Sequence, residues 1–193
     1  MTETKNRVKY GLSNVHYAVA TIAEDGSATY GTEKPWPGAV SLSMKAEGDS
    51  QVFYADNIKY YVSYANDGYS GTLECAQIPA DFETDVLGAI TDGNGMVVES
   101  ADALTTHFAL LFEFAGDVSS TRHVMYNCVA ARPEVSGKTT QGSREPQTDS
   151  IDITAGTIYD KTLKANIVKA KCAAGSAGYD AWFNEVPVPT AKG

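Results

Sequence analysis

The chain has 193 residues, 43% of them hydrophobic and 20% charged, which predicts one domain able to bury roughly 70% of the surface its unfolded form exposes. Its 24 acidic residues outnumber 15 Lys and Arg, for a formal net charge of −9, and that balance argues against a protein that reads nucleic acid through phosphate contacts. No apolar run approaches the roughly 20 residues of a membrane-spanning helix, and Cys75, Cys128 and Cys172 fit neither a disulfide framework nor a zinc site with paired ligands, so they read as reduced thiols.

The polar opening MTETKNRVKYG lacks the apolar core of a secretory signal and predicts synthesis and folding in a cytoplasm. Beyond it, alternation of period two recurs in strand-length segments, so most of the chain is expected to be sheet. Strands are expected at 15–22, 38–44 and 51–54. From Ile58, the residues Tyr60, Val62 and Tyr64 share one face; Asn66-Asp67-Gly68 offers turn chemistry, and Leu73 and Cys75 follow on a returning strand, which together predict a hairpin. Phe82 and Val86 lie four apart with Gly88 placed to stop a helix, predicting a short helix between Pro79 and Leu87.

A further strand is expected at 96–99. Next comes the strongest signal in the chain, with Phe108, Leu110, Phe112 and Phe114 on one face and His107, Ala109, Leu111 and Glu113 on the other. After a turn at 115–120, residues 122–130 read as its partner, with Val124, Tyr126 and Cys128 on one side and His123, Met125 and Asn127 on the other. Residues 132–150, rich in Gly, Ser, Thr, Pro and Gln, predict a long loop, either functional or disordered by itself, inside the single domain 1–193. Strands at 151–158 and 165–172 follow, and Tyr179, Trp182 and Phe183 suggest a second short helix.

Local signals for chemistry are sparse. His16, His107 and His123 fall in expected strands with no second ligand at metal-like spacing. No GxSxG elbow, GxxxxGK[ST] loop or GxGxxG turn occurs. The fragment Thr91-Asp92-Gly93-Asn94-Gly95 lacks the spaced acids of a calcium loop and reads as a Gly-rich hairpin turn. Cys75 and Cys128 sit on apolar faces, where a thiol behaves as a small buried hydrophobe. On this reading the chain is not an enzyme, and no catalytic, cofactor-binding or metal residue is assigned.

Several segments share an order and spacing. Asn6-Arg7-Val8-Lys9-Tyr10-Gly11-Leu12 and Asn14-Val15-His16-Tyr17-Ala18-Val19 open the series, and Pro37-Gly38-Ala39-Val40-Ser41-Leu42-Ser43 follows a Tyr30-Gly31 pair. The most specific are Phe53-Tyr54-Ala55-Asp56-Asn57, Tyr60-Tyr61 and Asn66-Asp67-Gly68-Tyr69-Ser70-Gly71-Thr72-Leu73-Glu74. Leu87-Gly88, Glu99, 108–114, 122–128 and Ala131-Arg132-Pro133 continue in the same order. Together these resemble the major tail protein (tail tube protein) family of long-tailed siphophages that infect Gram-positive bacteria, the phi13 type, over most of residues 6–155.

That resemblance implies a mainly β protein, a sandwich or barrel of the phage tail-tube type with one or two short flanking α-helices. It implies a structural protein of the virion tail, made and assembled in the host cytoplasm, without cofactors and without a membrane. Its partners would be copies of itself in stacked hexameric rings, the tape-measure protein and the tail-end proteins, with DNA passing through the lumen without specific binding. In such a helical assembly, sheet edges would pair with neighbours, and loops at 132–150 or 32–37 would bridge one ring to the next. Glu74 or other acids of the central hairpin would face the lumen and repel phosphate. The alternative is a ligand- or carbohydrate-binding β-sandwich module, which strand content and aromatics equally allow.

Overall fold

A computed structural model describes residues 8–117, 119–139 and 146–191. The protein is mainly β, 47% strand against 3% helix, of a sandwich or barrel type. The strands, in chain order, are β1 (Leu12–Ile22), β2 (Ala28–Tyr30), β3 (Lys34–Pro35), β4 (Ala39–Glu47), β5 (Ser50–Ala55), β6 (Ile58–Tyr64) and β7 (Gly68–Cys75), then helix α1 (Ala80–Asp85). After it come β8 (Ile90–Thr91), β9 (Val97–Val98), β10 (Phe108–Phe114), β11 (Arg122–Ala130), β12 (Asp149–Gly156), β13 (Ile158–Asp160), β14 (Ala165–Ile167) and β15 (Lys169–Cys172).

The main sheet is antiparallel and runs β2-β1-β10-β11-β12-β7-β4, with β3 added to β1 and β15 to β11. It curls so that β4 comes round to face β1. Trp36 closes that seam: its backbone N–H donates to the Val15 carbonyl at 2.7 Å and its ring is 1% exposed. β11 divides its free edge between two partners, β15 along Arg122–Met125 and β12 along Asn127–Ala130, so it joins both parts of the curled sheet.

The inward face is one apolar core containing Tyr17, Trp36, Leu73, Phe82, Phe108, Leu110, Ile151 and Ile153. Helix α1 plugs it. Phe82 packs edge-on against Tyr17 and Phe108, at centroid distances of 5.1 and 5.2 Å, and tilted against Trp36 at 4.3 Å, geometries that suit aromatic quadrupoles. The helix forms where the Phe82 and Val86 spacing predicts it, both side chains fully buried, and Gly88 at φ +75° turns the chain out of it.

The outward face of β1, β10 and β11 is also covered. Ala18, Ala109, Leu111, Val124 and Tyr126 pack against Ile158, Trp182 and Val186. The 179–184 segment is a series of turns rather than the expected second helix: Trp182 N–H reaches only to the Tyr179 carbonyl and Asn184 N–H to that of Ala181. Arg122 fixes this strap, donating to Glu113 at 3.1 Å and to the Tyr179 carbonyl, with its guanidinium 3.8 Å from the Tyr179 ring centroid.

Three expectations need correction. First, Ile58–Tyr64 does not pair with the strand ending at Cys75. Its partner is β5, in a register running Val52↔Val62, Phe53↔Tyr61 and Ala55↔Ile58, while β7 lies between β4 and β12. The turn is the two-residue Asp56-Asn57, both at positive φ (51° and 63°), as a type I′ hairpin requires. Asn66-Asp67-Gly68 is a kink in one long ribbon that runs from β4 to β7. There Gly68 has φ +111°, and a Cβ would lie 2.1 Å from the Ala155 carbonyl oxygen. Second, a bulge between Phe108↔Cys128 and Leu110↔Met125 sets two β11 residues against one on β10. It moves Cys128 to the inner face with Met125, leaving Val124 and Tyr126 outside. Third, His107 lies just before β10, not within it.

The remaining strand expectations hold with shifted ends. The 96–99 segment contributes only the two residues of β9, paired to β8 around the Asp92–Gly95 turn, and 165–172 is divided into β14 and β15.

Candidate assembly surfaces

The β5–β6 hairpin stands apart from the main sheet as a two-stranded unit. Its strands carry apolar side chains on both faces, and all are exposed: Phe53, Tyr54, Ile58, Tyr60, Tyr61 and Tyr64 at 60–79%, with Val52 and Val62 beside them. The only ring contact within the hairpin is Phe53 against Tyr60 at 6.5 Å. A lone two-stranded hairpin is marginal in water, and a contiguous exposed apolar patch marks an interaction surface. Sequence reasoning missed this unit, because the Asn-Asp-Gly run drew the turn to the wrong place. The signal that finds it is the doublets Phe53-Tyr54 and Tyr60-Tyr61, which put aromatics on both faces of a strand and break the alternation of a half-buried one.

The outward face of β4, β7 and β12 is the opposite in character. Register places Ser41, Glu74 and Ser150 in one row, Ser43, Thr72 and Asp152 in the next, and Lys45, Ser70 and Thr154 in a third. Leu73, Cys75, Ile151 and Ile153 alternate with them and point into the core. The face is internally bonded: Thr72 Oγ1 donates to Asp152 at 2.7 Å, Ser70 to Glu47 at 2.5 Å, and Thr148 and Ser41 to Glu74 at 2.6 and 3.0 Å. Those two donors hold the Glu74 carboxyl below the usual carboxylate range. Glu47, Glu74 and Asp152 against Lys45 leave the face net acidic.

A groove of about 360 Å³ opens where β4, β7, β10, β11 and β15 meet, floored by Met44, Tyr69, Phe112 and Phe114, with Lys9, His123 and Lys169 beside them. Lys9 Nζ lies 4.7 Å above the Phe114 ring and Lys169 Nζ 4.2 Å above Tyr69, within cation–π range. His123 stacks on Phe112 at 5.1 Å and 6°. Burial, followed by the Lys171 and Lys9 charges, pushes the His123 pKa below its ordinary value.

The other two histidines serve separate structures. His16 donates through Nδ1 to the Asn14 carbonyl at 3.1 Å and packs on Phe183. His107 Nδ1 donates to Asn127 Oδ1 at 2.6 Å. Among the described residues no three of His, Cys, Asp and Glu gather as a metal site would need. Cys75 and Cys128 are buried, Cys172 partly so, and burial pushes the Cys128 thiol up to about 12. The 91–95 fragment is a hairpin turn whose Asp92 accepts from the Asn94 and Met96 backbone N–H groups at 2.8 Å each.

Of the two loops expected to bridge rings, 32–37 is not free: Lys34 and Pro35 pair with Tyr17 and His16, Lys34 binds Asp85 at 2.7 Å, and Trp36 is core. The 132–150 loop ends at Asp149, where β12 begins, and its residues 140–145 lie outside the described residues. Its base is closed by Gln147, which exchanges hydrogen bonds with the Lys138 backbone at 2.8 and 2.9 Å. Val135, near its start, is 99% exposed.

One buried polar feature stands outside these surfaces. Both carboxyl oxygens of Glu33 are buried without a hydrogen-bond partner, and burial, then the nearby Glu185 charge, pushes its pKa up to about 7. No protein-family model and no curated protein sequence matches this chain.

Proposed function

We propose that this chain is the major tail protein of a long-tailed phage, a structural subunit that self-assembles into stacked hexameric rings forming the tail tube. The β5–β6 hairpin carries the proposal. It exposes eight apolar or aromatic side chains on a unit that is marginal alone, whereas β1, β10 and β11 of the main sheet have apolar clusters packed on both faces. Full burial of one such side chain is worth roughly 1.5–3 kcal/mol. Four or more buried against a neighbour would meet an association cost of about 4–15 kcal/mol, and copies of the same chain supply that cover repeatedly around a ring.

The net acidic, hydroxyl-rich face of β4, β7 and β12 supports the same reading, because a wall of Ser, Thr and carboxylates repels DNA phosphates and offers a passing genome nothing to adhere to. Glu74, Asp152 and Glu47 are the lumen-facing acids on this proposal. The tape-measure protein and the tail-end proteins would be the further partners, with the virion tail the place of action. No catalytic group is required.

Sedimentation velocity beside negative-stain electron microscopy of the purified chain tests the proposal. Rings or hollow tubes of uniform diameter are the expected result. A chain that stays monomeric up to millimolar concentration and binds an oligosaccharide or an apolar ligand in the groove would favour a ligand-binding β-module instead.

A further inference from the structure

The hairpin tip and the groove at Lys9 and Lys169 are both open apolar surfaces, and a carboxylate on the first faces solvent where the second offers ammoniums. The groove has an aromatic floor, two lysine ammoniums and no Asp or Glu among its lining residues, in a chain of net charge −9. Among the described residues neither lysine forms an ion pair, and both ammoniums sit over rings. The tip offers a carboxylate: Asp56 stands in the turn itself, with Lys59 set back opposite Tyr54 and Phe53, Tyr54 and Ile58 exposed beside it at 61, 60 and 61%. Asp56 likewise has no ion-pair partner among the described residues.

The tip does not occupy its own groove. Met44 and Tyr69 belong to β4 and β7, the base of the ribbon that carries the hairpin. The six residues of β5 lead from that base to the Asp56 turn, roughly 20 Å of strand at about 3.3 Å per residue. No residue of β5 or β6 lines the groove, and the tip side chains remain exposed. We propose that the β5–β6 tip of one copy docks in the groove of a second copy, an aromatic side chain on the Phe112–Phe114 floor and the Asp56 carboxylate between Lys9 and Lys169. Tip and groove are different patches, so the contact is heterologous, head to tail, and propagates as a closed ring or a helical stack rather than stopping at a two-fold dimer.

This inference rests on the self-assembly proposed above, and charge exchange separates the two. Asp56→Asn and the pair Lys9→Glu with Lys169→Glu are each expected to raise the concentration needed for assembly at least tenfold, with unchanged circular dichroism and melting temperature. Asp56→Lys combined in one chain with Lys9→Glu and Lys169→Glu is expected to recover at least half of the wild-type assembly. A wild-type chain that assembles while the glutamate pair assembles equally well, or a combined variant with no recovery, overturns the docking and leaves the self-assembly intact. A wild-type chain monomeric up to millimolar concentration overturns both.

Discussion

The β10–β11 and β5–β6 hairpins are built from the same kind of material, apolar and aromatic side chains on both faces, yet one is largely buried and the other open. In β10 the run Phe108–Phe112 is buried throughout, its inner side by α1 and the facing strands and its outer side by the 179–186 strap. Among the described residues no segment does the same for β5 and β6. A strand apolar on both faces therefore predicts two covering layers, and for β5 and β6 the proposed self-assembly would supply them.

The comparison breaks first at its packed half. Phe108→Ala empties a fully buried site at the centre of the aromatic cluster and is expected to cost about 3–5 kcal/mol, read as a lower urea midpoint. Removing the clamp on the strap is milder: Arg122→Gln loses the Glu113 pairing and the bond to the Tyr179 carbonyl and is expected to cost about 1.5–3 kcal/mol. An increase in Trp182 exposure, followed by fluorescence, would mark the strap lifting before global unfolding.

Glu33 gives a smaller effect with a defined sign. Its folded pKa, about 7, lies above the ordinary 4.5, so the folded state holds a proton that the unfolded state releases between those values. Stability is then lost as pH rises from about 4.5 to about 7 and changes no further above that. Glu33→Gln removes the dependence. It is expected to stabilise the protein at pH 8 by about 1–2 kcal/mol after allowance for solvent screening, or roughly 2–8 °C in Tm, with no gain at pH 4. An equal gain at both pH values would mean that charge on Glu33 is not the cause.

The smallest change in stability sharpens the comparison most. Substituting Tyr54, Tyr60 and Tyr61 together by Ser removes exposed rings and is expected to shift stability by only about 0.5 kcal/mol per site or less. Assembly seen by sedimentation should nonetheless disappear. Loss of fold on that substitution would show that the hairpin is covered within its own chain.

The strongly periodic elements were legible from the residues. The Phe108–Phe114 strand, its 122–130 partner, helix α1 and the 91–95 turn lie where alternation, i+4 spacing and Gly placement put them, because those signals depend on neighbours a few positions away. The long hairpin was misread for a related reason: Asn66-Asp67-Gly68 and Asp56-Asn57 both carry turn chemistry. Choosing between them takes the pairing of β7 with β12, whose Ala155 backbone sits where a side chain at Gly68 would go. The candidate surfaces were less legible still. Glu74 was singled out, but the rows that join it to Ser41 and Ser150 depend on register between strands far apart in sequence.

Alternation alone thus determined a mainly β protein with an apolar core strand at 108–114, since side chains one residue apart must point to opposite faces. Tertiary structure alone decided which apolar faces are covered. The bulge that turns Cys128 inward, the Arg122 clamp that lays Trp182 over Ala109 and Leu111, and the uncovered β5–β6 hairpin all follow from contacts across dozens of residues, where the energy of burial is set by which segments meet and not by what each one is made of.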